Sequence, residues 1–143
     1  MKYKIVLNKD QEDDFLIFAR EESKTLDKIR EILSEEQQEL LGFDNERIEK
    51  LYISEVFCFY VEEGKVYAMT EKRKYCLKQR LYQLEELYLG DFIKINQSCL
   101  VNKTKIKGFE ASIGGALTVI LKNGYRDYIS RRQLKAVKER MGF

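Results

Sequence analysis

The sequence predicts a mainly β chain of the α+β class, an antiparallel fold with short helices, preceded by a small β-β-α appendage. Three observations predict it. From residue 39 onward, apolar runs of four to six residues recur between turn signals, the pattern of short strands rather than helices. Only three segments carry a helical period, one of them near the N-terminus. The charge balance also changes along the chain, from an acidic N-terminal part to a basic C-terminal one, which points to two parts with different jobs.

The elements follow in order. Residues 3–8 (YKIVLN) and 15–20 (FLIFAR) are apolar runs around the acidic loop KDQEDD, and both read as strands. ESKTLDKIREILSEEQ then places Leu26, Ile29, Ile32 and Leu33 on one helical face, with Ser23 or Thr25 available as N-cap. ELLGFD and RIEKLYI flank the turn Asn45-Glu46, and VFCFYV and KVYAM flank Glu63-Gly64. The run Val56 to Val61 is apolar at every position, which implies burial on both faces. After the polar turn EKRK comes a strand near KYCLKQ, then a helix with Leu81, Leu84 and Leu87 that Gly90 is expected to end. The remainder alternates strands and turns: DFIKIN, SCLVN, KIKGFEA, the Gly114-Gly115 turn, ALTVILK, the Asn123-Gly124 hairpin signal and YRDYIS. A closing helix, RRQLKAVKERM, is expected to be capped by Ser130 and to turn Leu134, Val137 and Met141 inward.

Composition narrows the function. The 143 residues hold 26 basic and 24 acidic side chains, but residues 1–50 carry 9 basic and 14 acidic groups, whereas residues 91–143 carry 11 and 4. A basic C-terminal half suits a polyanion, and an acidic N-terminal segment suits a protein partner. Histidine is absent, so the commonest general base and metal ligand is missing. No G-x-S-x-G, G-x-x-x-x-G-K-[ST] or G-x-G-x-x-G motif occurs. The acidic pairs Asp13-Asp14, Glu21-Glu22, Glu62-Glu63 and Glu85-Glu86 are adjacent in sequence, so their carboxylates diverge. No catalytic residue, metal site, cofactor or small-molecule substrate is expected. Cys58, Cys76 and Cys99 are odd in number and lack CxxC spacing, which fits core thiols in a reducing compartment. With no membrane-spanning run and no export signal at the N-terminus, the expected location is the cytoplasm.

Two stretches carry a family resemblance. D-F-I-K-I-N-Q-S-C-L-V-N-K-T-K-I (91–106) and L-K-N-G-Y-R-D-Y-I-S-R-R (121–132) resemble the LytTR family of bacterial DNA-binding domains. FYVEEGKVYAMTEKRKYCLKQRLYQLEELY resembles that family's opening pattern, and the likeness runs from near Asp44 to the end. The resemblance implies an elongated antiparallel β-fold that inserts loops, not a recognition helix, into successive major grooves. It further implies a non-enzymatic transcription regulator working as two protomers on tandem direct repeats of double-stranded DNA. Carried over by position, the first contact falls on Glu63, Gly64 and Lys65, the central one on Lys94, Asn96, Gln97 and Ser98, and the last on Ser130, Arg131 and Arg132. The central motif departs from the family at Asn96, where histidine is frequent, and at Gln97, where a basic residue is usual. Asn and Gln still pair bidentately with adenine.

Physical chemistry supports part of this set. Arg131 and Arg132 open the last helix, where the macrodipole disfavours cations by about 0.3–1 kcal/mol each, a placement that an anion at that end would offset. Lys72 and Arg73, in a basic turn with Lys74, are secondary phosphate candidates. So are Lys103, Lys105 and Lys107, whose strand-period spacing predicts a stripe on one face. Asn102 reads as a structural turn residue, and Tyr125 and Tyr128 read as packing residues. Residues 1–43 are too short for the phospho-acceptor domain of many relatives. They are expected to mediate dimerisation or to dock a partner, an inhibitory membrane protein being the one the resemblance implies. The alternative to DNA binding is a β-rich protein-interaction module that regulates without touching DNA.

Overall fold

The computed structural model describes residues 2–13, 15–35 and 40–143. The chain divides into two compact units, residues 1–36 and 37–143.

In the first unit the helix α1 spans Lys24–Glu35. Ser23 is its N-cap, its Oγ accepting the Leu26 amide at 3.1 Å. The Arg30 guanidinium forks onto Glu22 at 2.6 and 2.8 Å, and that hydrogen bond holds the Glu22 carboxyl below its ordinary range. The expected end of this helix, through Gln37, and Asp14 of the acidic loop lie outside the described residues. The two expected strands are corrected: residues 3–8 and 15–20 run outside any ladder, joined by a turn in which Asn8 Oδ1 accepts the Asp10 amide at 3.1 Å. Two short strands make at best a ribbon that is marginal in water, and no third strand flanks them among the described residues.

Among the described residues the second unit carries ten strands: β1 (Leu40–Asp44), β2 (Arg47–Leu51), β3 (Cys58–Glu62), β4 (Lys65–Met69), β5 (Lys74–Leu77), β6 (Phe92–Asn96), β7 (Cys99–Asn102), β8 (Ile106–Ala111), β9 (Leu117–Leu121) and β10 (Arg126–Tyr128). Helix α2 (Leu81–Leu87) connects β5 to β6, and helix α3 (Arg131–Met141) follows β10. A seven-stranded antiparallel sheet has the order β2-β1-β5-β4-β3-β7-β6, and a three-stranded one the order β10-β9-β8. The sheet therefore begins at Leu40, a buried residue, ahead of the expected boundary at residue 44. Glu39, expected to open this strand, lies outside the described residues.

Strand β3 divides the interior as its sequence predicts. Phe59 and Val61 belong to one core, with Leu84 and Tyr88 from the α2 side and Phe92 from β6. Cys58 and Tyr60 belong to the other, with Val119 and Leu121 of β9 and Val137 of α3. Strand alternation sends successive side chains to opposite faces, so a run without a polar residue becomes a wall between two cores. Cys58 and Cys99 are buried and Cys76 is half-buried, all as free thiols.

Local chemistry fixes the turns. At the β3–β4 hairpin Glu63 and Gly64 both adopt positive φ (50° and 75°), the backbone of a type I′ turn. Gly42 in β1 is required by packing, because a Cβ there would lie 2.6 Å from Tyr75 Cβ. Helix α2 stops earlier than expected, with Tyr88 as its C-cap and Gly90 beyond it. Asn102 has its expected structural role: Nδ2 donates to the Val56 carbonyl at 2.8 Å and Oδ1 accepts the Thr104 amide at 3.0 Å. That cap also winds Lys103–Lys105 into a single 3₁₀ turn, which corrects the expected stripe of Lys103, Lys105 and Lys107. Lys105 Nζ lies over the Phe57 ring, 5.0 Å from its centroid.

Candidate nucleic-acid interface

Three segments far apart in sequence meet at one end of the large sheet. The first is the Glu63-Gly64 turn, with Lys65 exposed at the start of β4 and paired across the hairpin with Glu62. The second is the β6–β7 turn. The Val61 amide donates to the Ser98 carbonyl at 2.9 Å, which sets that turn beside the hairpin and leaves Gln97 and Ser98 exposed. The third is the entry to α3. The Ser130 amide donates to the Ile95 carbonyl at 2.9 Å, placing Ser130, Arg131 and Arg132 next to the same turn.

Asn96 is corrected from base contact to positioning residue. It is 2 % exposed, its Nδ2 donates to the Tyr128 carbonyl at 2.9 Å, and its Oδ1 accepts the Ser98 amide at 2.9 Å. One donor and one acceptor of the amide are thus engaged inside the protein, and the buried side chain presents no exposed edge to an adenine. Lys94 is half-buried on the edge strand, with Nζ 3.8 Å from a Glu85 carboxylate oxygen of α2. It stays nearer to α2 than a freely exposed lysine would.

At the start of α3 the expected cap is absent. Ser130 occupies the N-cap position, but its side chain makes no capping hydrogen bond. Arg131 and Arg132 are both exposed in the first turn. The helix therefore presents a positive dipole end and two guanidiniums together, an arrangement suited to phosphate or to a guanine edge. The far end of α3 is fixed by Arg140, which donates to the carbonyls of Phe92 at 2.8 Å and Leu89 at 2.7 Å.

The secondary candidates sit elsewhere. Lys72 and Arg73 lie in the β4–β5 turn, at the opposite end of β4 from Lys65. Lys103 and Lys105 follow the far end of β7, and Lys107 is near the start of β8. Arg73 also has an anionic neighbour, with its guanidinium 3.7 Å from Glu49. That Glu49 carboxylate accepts the Tyr75 hydroxyl at 2.8 Å, which raises the phenol's pKa.

Two basic residues at the end of the sheet where the three segments meet escaped the sequence reading. Leu77 pairs with Val66, so Lys78 and Arg80 emerge beside Lys65, and both are exposed. The available signal was their position just after a strand whose partner begins at the candidate residue Lys65. Tyr125 packs into the core as expected, whereas Tyr128 is exposed at this end of the molecule. Among the described residues, no group of three or more His, Cys, Asp or Glu forms a metal site, and no helix is long and apolar enough to cross a membrane.

Comparison with known proteins agrees with this architecture. Residues 46–142 match the family described as LytTr DNA-binding domain. The chain is 31 % identical over 146 residues to an HTH-type transcriptional regulator of Staphylococcus aureus strain bovine RF122 / ET3-1, covering 99 % of this chain and 98 % of that one. A regulator of the same description from S. aureus strain MSSA476 is 37 % identical over 102 residues, covering 71 % and 69 %. The fold matches the LytTr DNA-binding domain of a methyl-accepting/DNA response regulator from Bacillus cereus with a TM-score of 0.69 and 22 % identity, over 73 % of this chain and 97 % of that one. This chain belongs to the LytTR family of non-enzymatic DNA-binding domains.

Proposed function

We propose that this protein is a sequence-specific regulator of transcription that binds double-stranded DNA through the end of its sheet where three loops converge. The hairpin at Lys65, the turn at Gln97 and Ser98, and the α3 entry at Ser130, Arg131 and Arg132 enter the major groove. Lys94, Lys78 and Arg80 flank them toward the phosphates. The observation that carries this reading is the convergence itself: residues near 65, 97 and 131 are joined through the Val61–Ser98 and Ser130–Ile95 hydrogen bonds. Loops held by sheet hydrogen bonds form a rigid reading head, which base-edge contacts require.

Two protomers occupy tandem direct repeats in this reading, and the protein acts in the cytoplasm without cofactor or small-molecule substrate. Selection of bound sequences from a random duplex library, repeated at two salt concentrations, tests it. A paired repeat bound far more tightly than bulk DNA is the expected result. Recovery of nothing above background from folded protein would overturn it in favour of a protein-interaction module. An inhibitory membrane protein docking on residues 1–43 is a further expectation of this reading, and it competes with the occupant argued next.

A further inference from the structure

The N-terminal unit cannot complete itself. Between Lys2 and Leu33 no described residue is buried, although eight large apolar side chains lie between Tyr3 and Phe18, each 48 % to 91 % exposed. At roughly 100–150 Å² apiece, given the 150–250 Å² that a full aromatic side chain can bury, they leave about 1,000 Å² uncovered. The largest apolar patch on a typical monomer is about 300–600 Å². A standard complex takes about 800 Å² from each partner, so this surface is enough for one stable interface.

We infer that a second copy of this chain covers it, the two N-terminal units pairing about a two-fold axis into one four-stranded sheet with two α1 helices. The inference deepens the two-protomer reading above and does not depend on its DNA component. Its first support is the pattern of the two segments. Tyr3, Ile5 and Leu7 share one face of an extended strand, whereas the unbroken run at 15–18 is apolar on both faces. Helix α1, with Leu26, Ile29, Ile32 and Leu33, has one stripe and can back only one face of a ribbon.

Size is the second support. The 12 residues of α1 span about 18 Å, and a six-residue strand spans about 20 Å, so helix and strands are commensurate. Charge is the third. Residues 2–35 hold 7 basic and 9 acidic groups, a balance ill suited to DNA or an anionic bilayer. Their order favours self-pairing: Lys2 and Lys4 stand in the first segment, and Asp10, Glu12 and Asp13 follow it. Antiparallel pairing of two first segments centred on Val6 sets Ile5 against Leu7, twice by symmetry, and brings Lys2 and Lys4 of one copy toward the acidic turn of the other. The likeness to the S. aureus strain RF122 regulator covers 99 % of the chain, so this unit is part of the shared protein.

Sedimentation of the full chain is the test. The wild type is expected at twice the chain mass at micromolar concentration. Ile5→Glu and Ile17→Glu should each weaken dimerisation by about 30-fold or more, the loss typical of a buried anchor, while circular dichroism of the β-rich unit stays unchanged. A second variant reads the axis directly: Val6→Cys in a Cys76→Ser background should form an interchain disulfide on mild oxidation, since directly opposed strand residues lie within disulfide reach. A monomeric wild type overturns the inference, whatever other partner the segment binds. So does a dimer that ignores both substitutions and yields no cross-link. A dimer that recovers no operator sequence sinks the DNA reading alone, and a monomer that still selects a paired repeat sinks only the pairing proposed here.

Discussion

Asn96 Nδ2 donates to the Tyr128 carbonyl at 2.9 Å across 32 residues of sequence, tying the β6–β7 turn to the strand that leads into α3. This bond, with the Ser98 amide on the same side chain's oxygen, sets the spacing between Gln97 and Arg131. Asn96→Ala removes the buried side-chain amide that engages both the Tyr128 carbonyl and the Ser98 amide, and losing these two hydrogen bonds should cost about 1–3 kcal/mol of stability. Urea unfolding measures that cost. DNA affinity should fall on every duplex alike; loss confined to one base position would mean that Asn96 reads DNA after all.

Lys65 and Arg73 lie at opposite ends of β4 and should separate cleanly in a salt titration. A lysine that neutralises one phosphate contributes about 0.9 to the slope of log K against log salt. Lys65→Ala is expected to lower the slope by about one. Arg73→Ala, whose guanidinium lies beside Glu49, should leave it unchanged. The reverse outcome would move the interface to the other end of the sheet.

Arg132 sits exposed in the first turn of α3. Arg132→Ala should weaken operator binding by about 1–3 kcal/mol and relax discrimination at one base pair, as expected for a guanidinium forked onto a guanine. Competition assays with single-base operator variants check this. Uniform weakening would assign Arg132 to the phosphate backbone instead.

Gly42→Ala tests the packing of β1 against β5. The new Cβ would stand 2.6 Å from Tyr75 Cβ and 2.8 Å from Leu51 Cδ1, so strands must shift to admit it. A loss of about 1–3 kcal/mol in thermal or chemical unfolding is expected.

Cys99 provides a pH prediction. A hydrogen bond with Cys58, followed by burial, raises its thiol well above the ordinary value of 9.0. Burial, followed by Glu62, pushes the Tyr60 phenol up to about 12. Both groups hold their protons more tightly in the folded state. Their contribution is therefore full below their ordinary values and is lost as pH rises through the raised ones. Stability should decline in the alkaline range, and a thiol reagent at pH 8 should modify Cys76 well before Cys58 or Cys99.

The sequence disclosed what depends on neighbours and hid what depends on distant partners. The Glu63-Gly64 and Asn123-Gly124 turns, the strand runs of the second unit and the inward face of α3 were readable because each is set by local backbone preference and periodicity. Asn96 was misread because its partner is 32 residues away, and a buried asparagine has the same one-letter appearance as an exposed one. Lys103 and Lys105 alternate as a strand would, but the Asn102 cap winds them into a turn. The N-terminal runs satisfy every local rule for strands, yet a strand also needs a neighbour, which no local pattern reveals.

The shared wall made by β3 has a mechanical consequence. If the strand slipped by a single residue, Phe59 and Tyr60 would exchange compartments, and both interiors would be spoiled in the same event. No half-slipped form keeps one interior sound, so the second unit should melt in one cooperative step. The hairpin at Lys65 and the turn at Ser98 both hang from this strand, and they should keep their mutual spacing until that step occurs.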